Sequence, residues 1–345
     1  MKTAAAILVE LDRPLVLTEI DIPKLKSGQV LVKVLYSRVC HTQVLEARGR
    51  RGADRFLPHC LGHEGSGIVE EVGPEVQNVC AGDEVILSWM KGPGKDVPGM
   101  QYLWGEKSVN SGAITTFSRY AVISENRLML LPKGISLQDA SLLGCAIPTG
   151  LGTIFNTAKA QAGNKIAIFG IGGIGLSLLL AARLAECSKI IAVDINPDKL
   201  EVAMKMGATN AINSLDSDPV QVIRELCPGG VDIAVDASGH TDAMRQALEC
   251  VRSQGGTAII VGNAAHGKKL EIDPWQLNQG KRLLGTWGGD NVPERDFPRY
   301  CNLVRSGKLN LSIYASAPYP LKDINQALLD LESGKVLRPL IDLSL

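Results

Sequence analysis

Lys165-Ile166-Ala167-Ile168-Phe169-Gly170-Ile171-Gly172-Gly173-Ile174-Gly175 decides how this chain is read. An apolar run that can fill a buried strand stops on a glycine turn, and an apolar helix opens directly behind it, with Gly173 and Ile174 at its start. A second run, Ile190-Ile191-Ala192-Val193, ends on Asp194, 19 residues after Gly175. Glycines at this spacing are a weak signal alone. Strand, turn, helix, strand and terminal carboxylate together describe a dinucleotide site. Gly170 permits the tight turn, Gly172 lets backbone N–H groups approach a pyrophosphate, and Gly175 allows the helix to pack closely on the strand. The phosphates then lie at the positive end of the helix dipole. Asp194 can accept both hydroxyls of the adenosine ribose and repels a 2′-phosphate, so the expected cofactor is NAD rather than NADP.

Working outward, strands and helices alternate from about residue 150, which predicts a parallel sheet covered on both faces. The expected strands are 165–169, 190–193, 231–236, 257–261 and 282–286, with 257–261 as an edge that could pair across a twofold axis in a homodimer or homotetramer. Pro197 and Gly207 bracket a helix with the usual start and stop chemistry. Before residue 145 the pattern is strand-rich, as in 30–39, 67–73 and 83–87, with Pro/Gly turns. The segment 91–112 lacks periodicity and reads as a long surface loop. After Trp287 a helix and a final strand, 339–343, complete the chain. The expected domains are 1–147 with 288–345, and 148–287.

A chain of 345 residues with a formal net charge of zero can fill two cores and calls for neither nucleic acid nor an anionic membrane as partner. No apolar run reaches the roughly 20 residues of a membrane span, and the start lacks the apolar stretch of an export signal. A cytoplasmic location is expected, where the eight cysteines serve as thiols or metal ligands. Cys40, His63 and Cys145 are candidates for such ligands: two thiolates and one imidazole suit zinc and leave a fourth tetrahedral position open. Spacing does not join them, since no tight C-x-x-C pair exists. Taken singly, His63 reads as a packed histidine and Cys145 as a small core residue.

The context joins them. Gly62-His63-Glu64-Gly65-Ser66-Gly67-Ile68-Val69-Glu70-Glu71-Val72-Gly73, followed by Gly82-Asp83-Glu84-Val85, resembles the zinc signature of the medium-chain dehydrogenase/reductase superfamily. The order of motifs through Asp194 is similar to that of its zinc-dependent alcohol dehydrogenases. The resemblance implies a Rossmann doubly wound parallel sheet plus a mainly β, GroES-like catalytic domain. It also implies one catalytic Zn2+ per subunit and hydride exchange between an alcohol (a polyol, a sugar derivative or another primary or secondary alcohol) and NAD. Cys40, His63 and Cys145 match the family's zinc ligands, and Glu64 matches the adjacent carboxylate that can join them transiently. Thr42 matches the hydroxyl that bonds the substrate oxygen, and His41 a basic residue near the pyrophosphate. Thr149 falls at the nicotinamide, Lys199 at the adenosine ribose, Arg338 at the pyrophosphate and Trp89 at the wall of the substrate pocket.

Three departures stand out. No cysteine lies between Ser88 and Phe117, so no structural zinc is expected there. Leu45 replaces a histidine that relays the proton in some members, leaving Thr42 to pass it through the cofactor ribose to water or to His41. Gln43 stands where an aspartate commonly supports the zinc-binding histidine, which makes that imidazole a weaker donor. Cys60, Cys80, Cys187, Cys227, Cys250 and Cys301 read as packing, and His59, His240 and His266 as turn residues. Arg48, Arg50, Arg51 and Arg55 form a basic loop that reads as a solvated surface or, alternatively, as a grip on an anionic substrate. Two other readings compete: a zinc-free quinone or enoyl reductase of the same superfamily, and a non-catalytic NAD-binding protein.

Overall fold

Val30, Val32 and Val34 point one way from their strand and Leu31 the other, and both faces are buried. The first three join a core with Val69, Val85 and Ile341, whereas Leu31 joins a second core with Ile7, Tyr102 and Val122. The period of two thus places this strand between two apolar layers. The computed structural model describes residues 1–345.

The chain begins with β1 (Lys2–Leu8), β2 (Val16–Asp21), β3 (Gln29–Arg38), α1 (His41–Ala47), β4 (His59–Cys60), β5 (Glu64–Val72) and β6 (Glu84–Ser88). It continues through β7 (Gln101–Trp104), β8 (Lys107–Asn110), β9 (Tyr120–Ser124), β10 (Leu128–Leu130) and α2 (Leu137–Ala140). Alternation follows: α3 (Ala146–Gly152), β11 (Lys165–Phe169), α4 (Gly173–Leu184), β12 (Lys189–Asp194), α5 (Pro197–Lys205), β13 (Asn210–Asn213) and α6 (Pro219–Leu226). Next come β14 (Ile233–Asp236), α7 (Thr241–Cys250), β15 (Thr257–Ile260), α8 (Pro274–Asn278) and β16 (Arg282–Gly285). The last elements are α9 (Pro293–Arg305), β17 (Tyr319–Pro320), α10 (Ile324–Glu332) and β18 (Leu340–Asp342).

Two compact units result, residues 1–145 with 292–345, and residues 146–291. These boundaries differ from the expected 147/148 and 287/288. Asn291 donates to the carbonyls of Pro148 and Gly288, and Asn156 to those of Gly289 and Asp290, so the turn 288–291 is tied to α3 and its continuation in the second unit. In the first unit β1, β2, β7, β8 and β4 close a small barrel. A second sheet runs β10-β6-β5-β3-β18-β17, with β9 also on β3. The second unit is a six-stranded sheet, β13-β12-β11-β14-β15-β16, with every pairing parallel. Its inner strands are continuous apolar runs, as burial on both faces requires. Strand order reverses between β11 and β14, which opens the crevice where such folds bind ligands.

Two sequence expectations are corrected here. Residues 257–261 are not an edge: β15 lies between β14 and β16, and β16 is outermost. The expected strand 282–286 is this β16, and its Leu284 and Gly285 are exposed. Residues 91–112 are not a bare loop either, because β7 and β8 form a hairpin whose Met100, Tyr102 and Val109 enter the barrel core. In the absence of cysteines, a buried carboxylate anchors this lobe. Glu125 Oε1 accepts the N–H groups of Gln77 (2.7 Å) and Asn78 (2.9 Å), and Oε2 that of Lys95 (2.9 Å). Burial works to raise its pKa, but these N–H groups and the Lys95 charge outweigh it and hold the carboxyl below its usual range.

A group with a depressed folded pKa stabilises fully above its unfolded pKa and loses that contribution as pH falls through the folded one. Glu125→Gln, which turns an NH2 group toward a backbone donor, is expected to lower stability by about 1–3 kcal/mol. Denaturant melts of both proteins from neutral to acid pH check this. The gap should close only at the acid end, and a constant gap would count against the ionised carboxylate.

Candidate active site

Cys40 ends the segment after β3 and is the N-cap residue of α1. Gln43, third in that helix, turns its side chain back to accept the Cys40 N–H at 2.9 Å, a capping-box contact. His63 and Glu64 come from the corner between β4 and β5. Cys145 follows a 3-10 turn, Ser141–Gly144, that lies against β5 and β6. Gly144 makes this approach possible: a Cβ there would sit 2.2 Å from Leu87 O and 2.8 Å from Glu64 Cβ. Ser88 Oγ donates to the Gly144 carbonyl at 2.7 Å and fixes the turn.

These elements gather one ligand atom each from Cys40, His63, Glu64 and Cys145 within 4.8 Å of one another. Gln43 Nε2 lies 2.5 Å from His63 Nδ1, which leaves Nε2 turned to the cluster, buried and without a hydrogen-bond partner. The Cys40 thiol is held well below its usual range, first by Cys145, then by the Arg338 charge and the His63 imidazole, against the opposing effect of burial. Glu64 is fully buried with the Arg338 guanidinium, itself 3 % exposed, directly against its Oε1. Two buried thiols, that of Cys40 shifted toward its thiolate, and a carboxylate share a dry site with the Arg338 guanidinium, a donor set that a divalent ion fits. A soft donor set of two sulfurs and one nitrogen, the nitrogen an orphaned imidazole atom, suits zinc.

Arg338, expected at a pyrophosphate, has its guanidinium on Glu64. Its backbone is held by Arg38, which sequence reading missed. Arg38 Nη1 donates to the carbonyls of Arg338 (3.1 Å) and Tyr314 (3.2 Å), and Nε donates to Ser141 Oγ at 3.0 Å. Burial, then the nearby Arg338 charge, brings Arg38 down to about 9. A charged residue at the end of a strand, directly before the apolar Val39 and the candidate ligand Cys40, was the available signal. Thr42 Oγ1 lies 3.8 Å from Cys40 Sγ, and His41 beside it is exposed. Trp89 is half-buried just past β6, and its carbonyl accepts from Arg127 Nη1. Cys60 lies outside the cluster in the barrel core, where burial pushes its thiol up to about 12. His59 belongs to β4 rather than a turn and pairs with Asp54 at 2.7 Å, and Cys80 is exposed rather than packed.

The second unit carries the other set. Gly170 has φ +89° after β11, and a Cβ on Gly175 would fall 1.9 Å from the Gly170 carbonyl, so both positions exclude larger residues. Around Gly172 there is open space, so its backbone can be approached. Gly173 and Ile174 form the first turn of α4. At the end of β12 Asp194 accepts from Ile171 N (2.6 Å) and Asn196 N (2.9 Å), which aims its carboxylate at the crevice. Asn196 in turn caps α5, where Lys199 N is one of its donors. Thr149 is buried on α3.

The loop arginines are largely committed. Arg48 and Arg50 hold Glu332 on α10 at 2.9 and 3.2 Å, Arg51 holds Glu46 at 3.0 Å, and Arg55 stacks 4.9 Å over Phe56.

Residues 26–133 match the model for the alcohol dehydrogenase GroES-like domain, and residues 173–306 that for zinc-binding dehydrogenase. The S-(hydroxymethyl)glutathione dehydrogenase of Synechocystis sp. is 36% identical over 99% of this chain and all of its own. Benzyl alcohol dehydrogenase from Acinetobacter calcoaceticus is 31% identical, with a TM-score of 0.90 over 99% of each chain. An alcohol dehydrogenase zinc-binding domain protein from Burkholderia ambifaria gives 32% and 0.91 over 99% of each. Ligand cluster, nucleotide turn and these full-length matches agree that the chain belongs to the zinc-containing alcohol dehydrogenases of the medium-chain dehydrogenase/reductase superfamily.

Proposed function

We propose that this protein is a zinc- and NAD-dependent dehydrogenase that interconverts neutral alcohols and their carbonyl compounds. The observation that carries the reading is the cluster of Cys40, His63 and Cys145 around the unpartnered His63 Nε2. It also speaks against a zinc-free reductase, which has no use for two buried thiols beside an orphaned imidazole.

Bound zinc supplies Lewis-acid polarisation of the substrate oxygen, and bound NAD supplies the hydride acceptor. Cys40, His63 and Cys145 would hold the ion. Glu64 is the candidate for transient coordination, and its contact with Arg338 restrains it. Thr42 Oγ1 takes the proton of the substrate hydroxyl, and the exposed His41 passes it to solvent. Gly170, Gly172, Gly173, Ile174 and Gly175 seat the pyrophosphate, Asp194 and Lys199 the adenosine ribose, and Thr149 the nicotinamide. Arg338 balances the charge of Glu64 and is the candidate for the pyrophosphate. Cys145→Ala should remove bound zinc, read by elemental analysis, and lower turnover about a thousandfold or more, several kcal/mol of barrier. Asp194→Ala should leave zinc in place and narrow the NAD-over-NADP preference about tenfold or more. Full activity in a zinc-free Cys145→Ala protein would remove the metal from the reaction.

The substrate class follows from the arginine loop. Arg48, Arg50 and Arg51 already face three carboxylates of the same unit, Asp12, Glu332 and Glu46, which leaves Arg55 as the one loop arginine without a carboxylate partner to grip an anion. Benzyl alcohol and short primary alcohols should therefore be oxidised with higher kcat/KM than S-(hydroxymethyl)glutathione, and Arg50→Ala and Arg51→Ala should leave those values within about threefold. Preference for the glutathione adduct, lost in these variants, would reverse the assignment.

Association is read from the sheet edge. Outermost β16 exposes Leu284, and Trp275 and Trp287 are exposed in the segments flanking it, so two copies can pair β16 to β16 about a twofold axis. Sedimentation should give a homodimer or higher oligomer for the native chain and a monomer for Leu284→Asp with Trp287→Asp. An unchanged oligomer would place the interface elsewhere.

A further inference from the structure

Gln43 is buried, and its two amide atoms have different partners. Oε1 accepts the backbone N–H of Cys40 at 2.9 Å. A backbone N–H requires an oxygen, so this contact fixes the orientation of the amide. Nε2 is then the atom 2.5 Å from His63 Nδ1. An amide NH2 group only donates, so Nδ1 must present its lone pair. In the neutral ring the proton consequently sits on Nε2, the nitrogen turned toward Cys40, Cys145 and Glu64.

A metal ion needs the opposite arrangement. It takes the lone pair of Nε2, and the ring proton moves to Nδ1, where an acceptor ordinarily receives it. Here Nδ1–H would meet the NH2 group of Gln43, donor against donor. We propose that Gln43 is a positioning residue that holds His63 in the tautomer opposed to metal binding, so that loading the ion requires the amide to turn away from the Cys40 N–H. The proposal rests on the reading of the cluster as a zinc site. Its consequence is an ion held less tightly than the donor set alone would hold it. A carboxylate at this position accepts from the Cys40 N–H and from Nδ1–H together, and it removes the conflict without changing side-chain length.

Two measurements on the whole chain test this. Long-range 1H–15N spectra of the metal-free protein, at mildly alkaline pH where imidazoles are neutral, report which ring nitrogen carries the proton. The expected result is Nε2 for His63 in the native chain and Nδ1 in Gln43→Glu. A proton on Nδ1 in the native chain overturns the proposal, and this arm stands even where the variant fails to fold. Competition for zinc against a chromophoric chelator should show Gln43→Glu binding about tenfold more tightly or better. Equal affinities overturn the proposal alone. A native chain that takes up no zinc overturns the metal reading of the site along with it.

Discussion

Acidic side chains gathered out of water are the constraint on which the first unit depends. Cys40, Cys145 and Glu64 approach within ligand distance of His63 in a place that solvent barely reaches. Burying ionisable groups is unfavourable by several kcal/mol unless each has a partner, so the surrounding structure is arranged to hold them there. Arg338 lies against Glu64, and Arg38 holds the Arg338 backbone while bonding Ser141 at the start of the turn that delivers Cys145. One buried arginine thus ties together β3, the C-terminal segment and the Cys145 turn. A bare Gly144 lets that turn touch β5 and β6. The site is a meeting of four segments remote in sequence, and its cation partners are as much part of it as the ligands.

The same first unit shows how a lobe without cysteines is anchored by a carboxylate. Residues 91–112 contain no cysteine, yet their hairpin closes the barrel through Tyr102 and Val109. Glu125 satisfies three backbone N–H groups from two loops. A buried carboxylate with several N–H donors is a directional anchor of the kind that a cluster of thiolates on an ion would otherwise supply. The barrel and the main sheet share β3 through its two faces, so a lobe fastened to one is packed indirectly against the other.

Legibility in the sequence followed the range of the interactions. The nucleotide turn is local: Lys165 to Asp194 is one contiguous strand–helix–strand unit, and the strands 165–169 and 190–193 emerge at nearly the expected residues. The ligand set became readable only through resemblance, because Cys40, His63 and Cys145 are joined by tertiary packing and by no spacing. Arg38 stayed hidden for the same reason, since its partners Ser141, Tyr314 and Arg338 lie 103 to 300 residues away. The hairpin at 101–110 was missed because Gly105 and flanking polar residues mask a short alternation whose burial depends on β2 and β4. The edge position of β16 cannot be read from a strand's own residues, because it is a property of strand order.

The arginine loop shows how residue counts mislead when partners are out of view. In the sequence four arginines stand within eight positions and suggest a grip for an anion. In the fold, Glu332 arrives from α10, nearly three hundred residues on, and Glu46 from α1, to take three of them. His59, at the start of β4, pairs with Asp54 of the same loop. Individually such partly exposed pairs contribute little to stability. Collectively they hold the stretch between the first two zinc motifs in one shape, with its charge turned inward on its own carboxylates. An anionic substrate reaching this loop would have to displace a tethered carboxylate already at bonding distance, whereas a neutral alcohol need not. Under the proposed reading, discrimination falls to shape and apolar contact, with Trp89 beside the β6 terminus as the first residue to test.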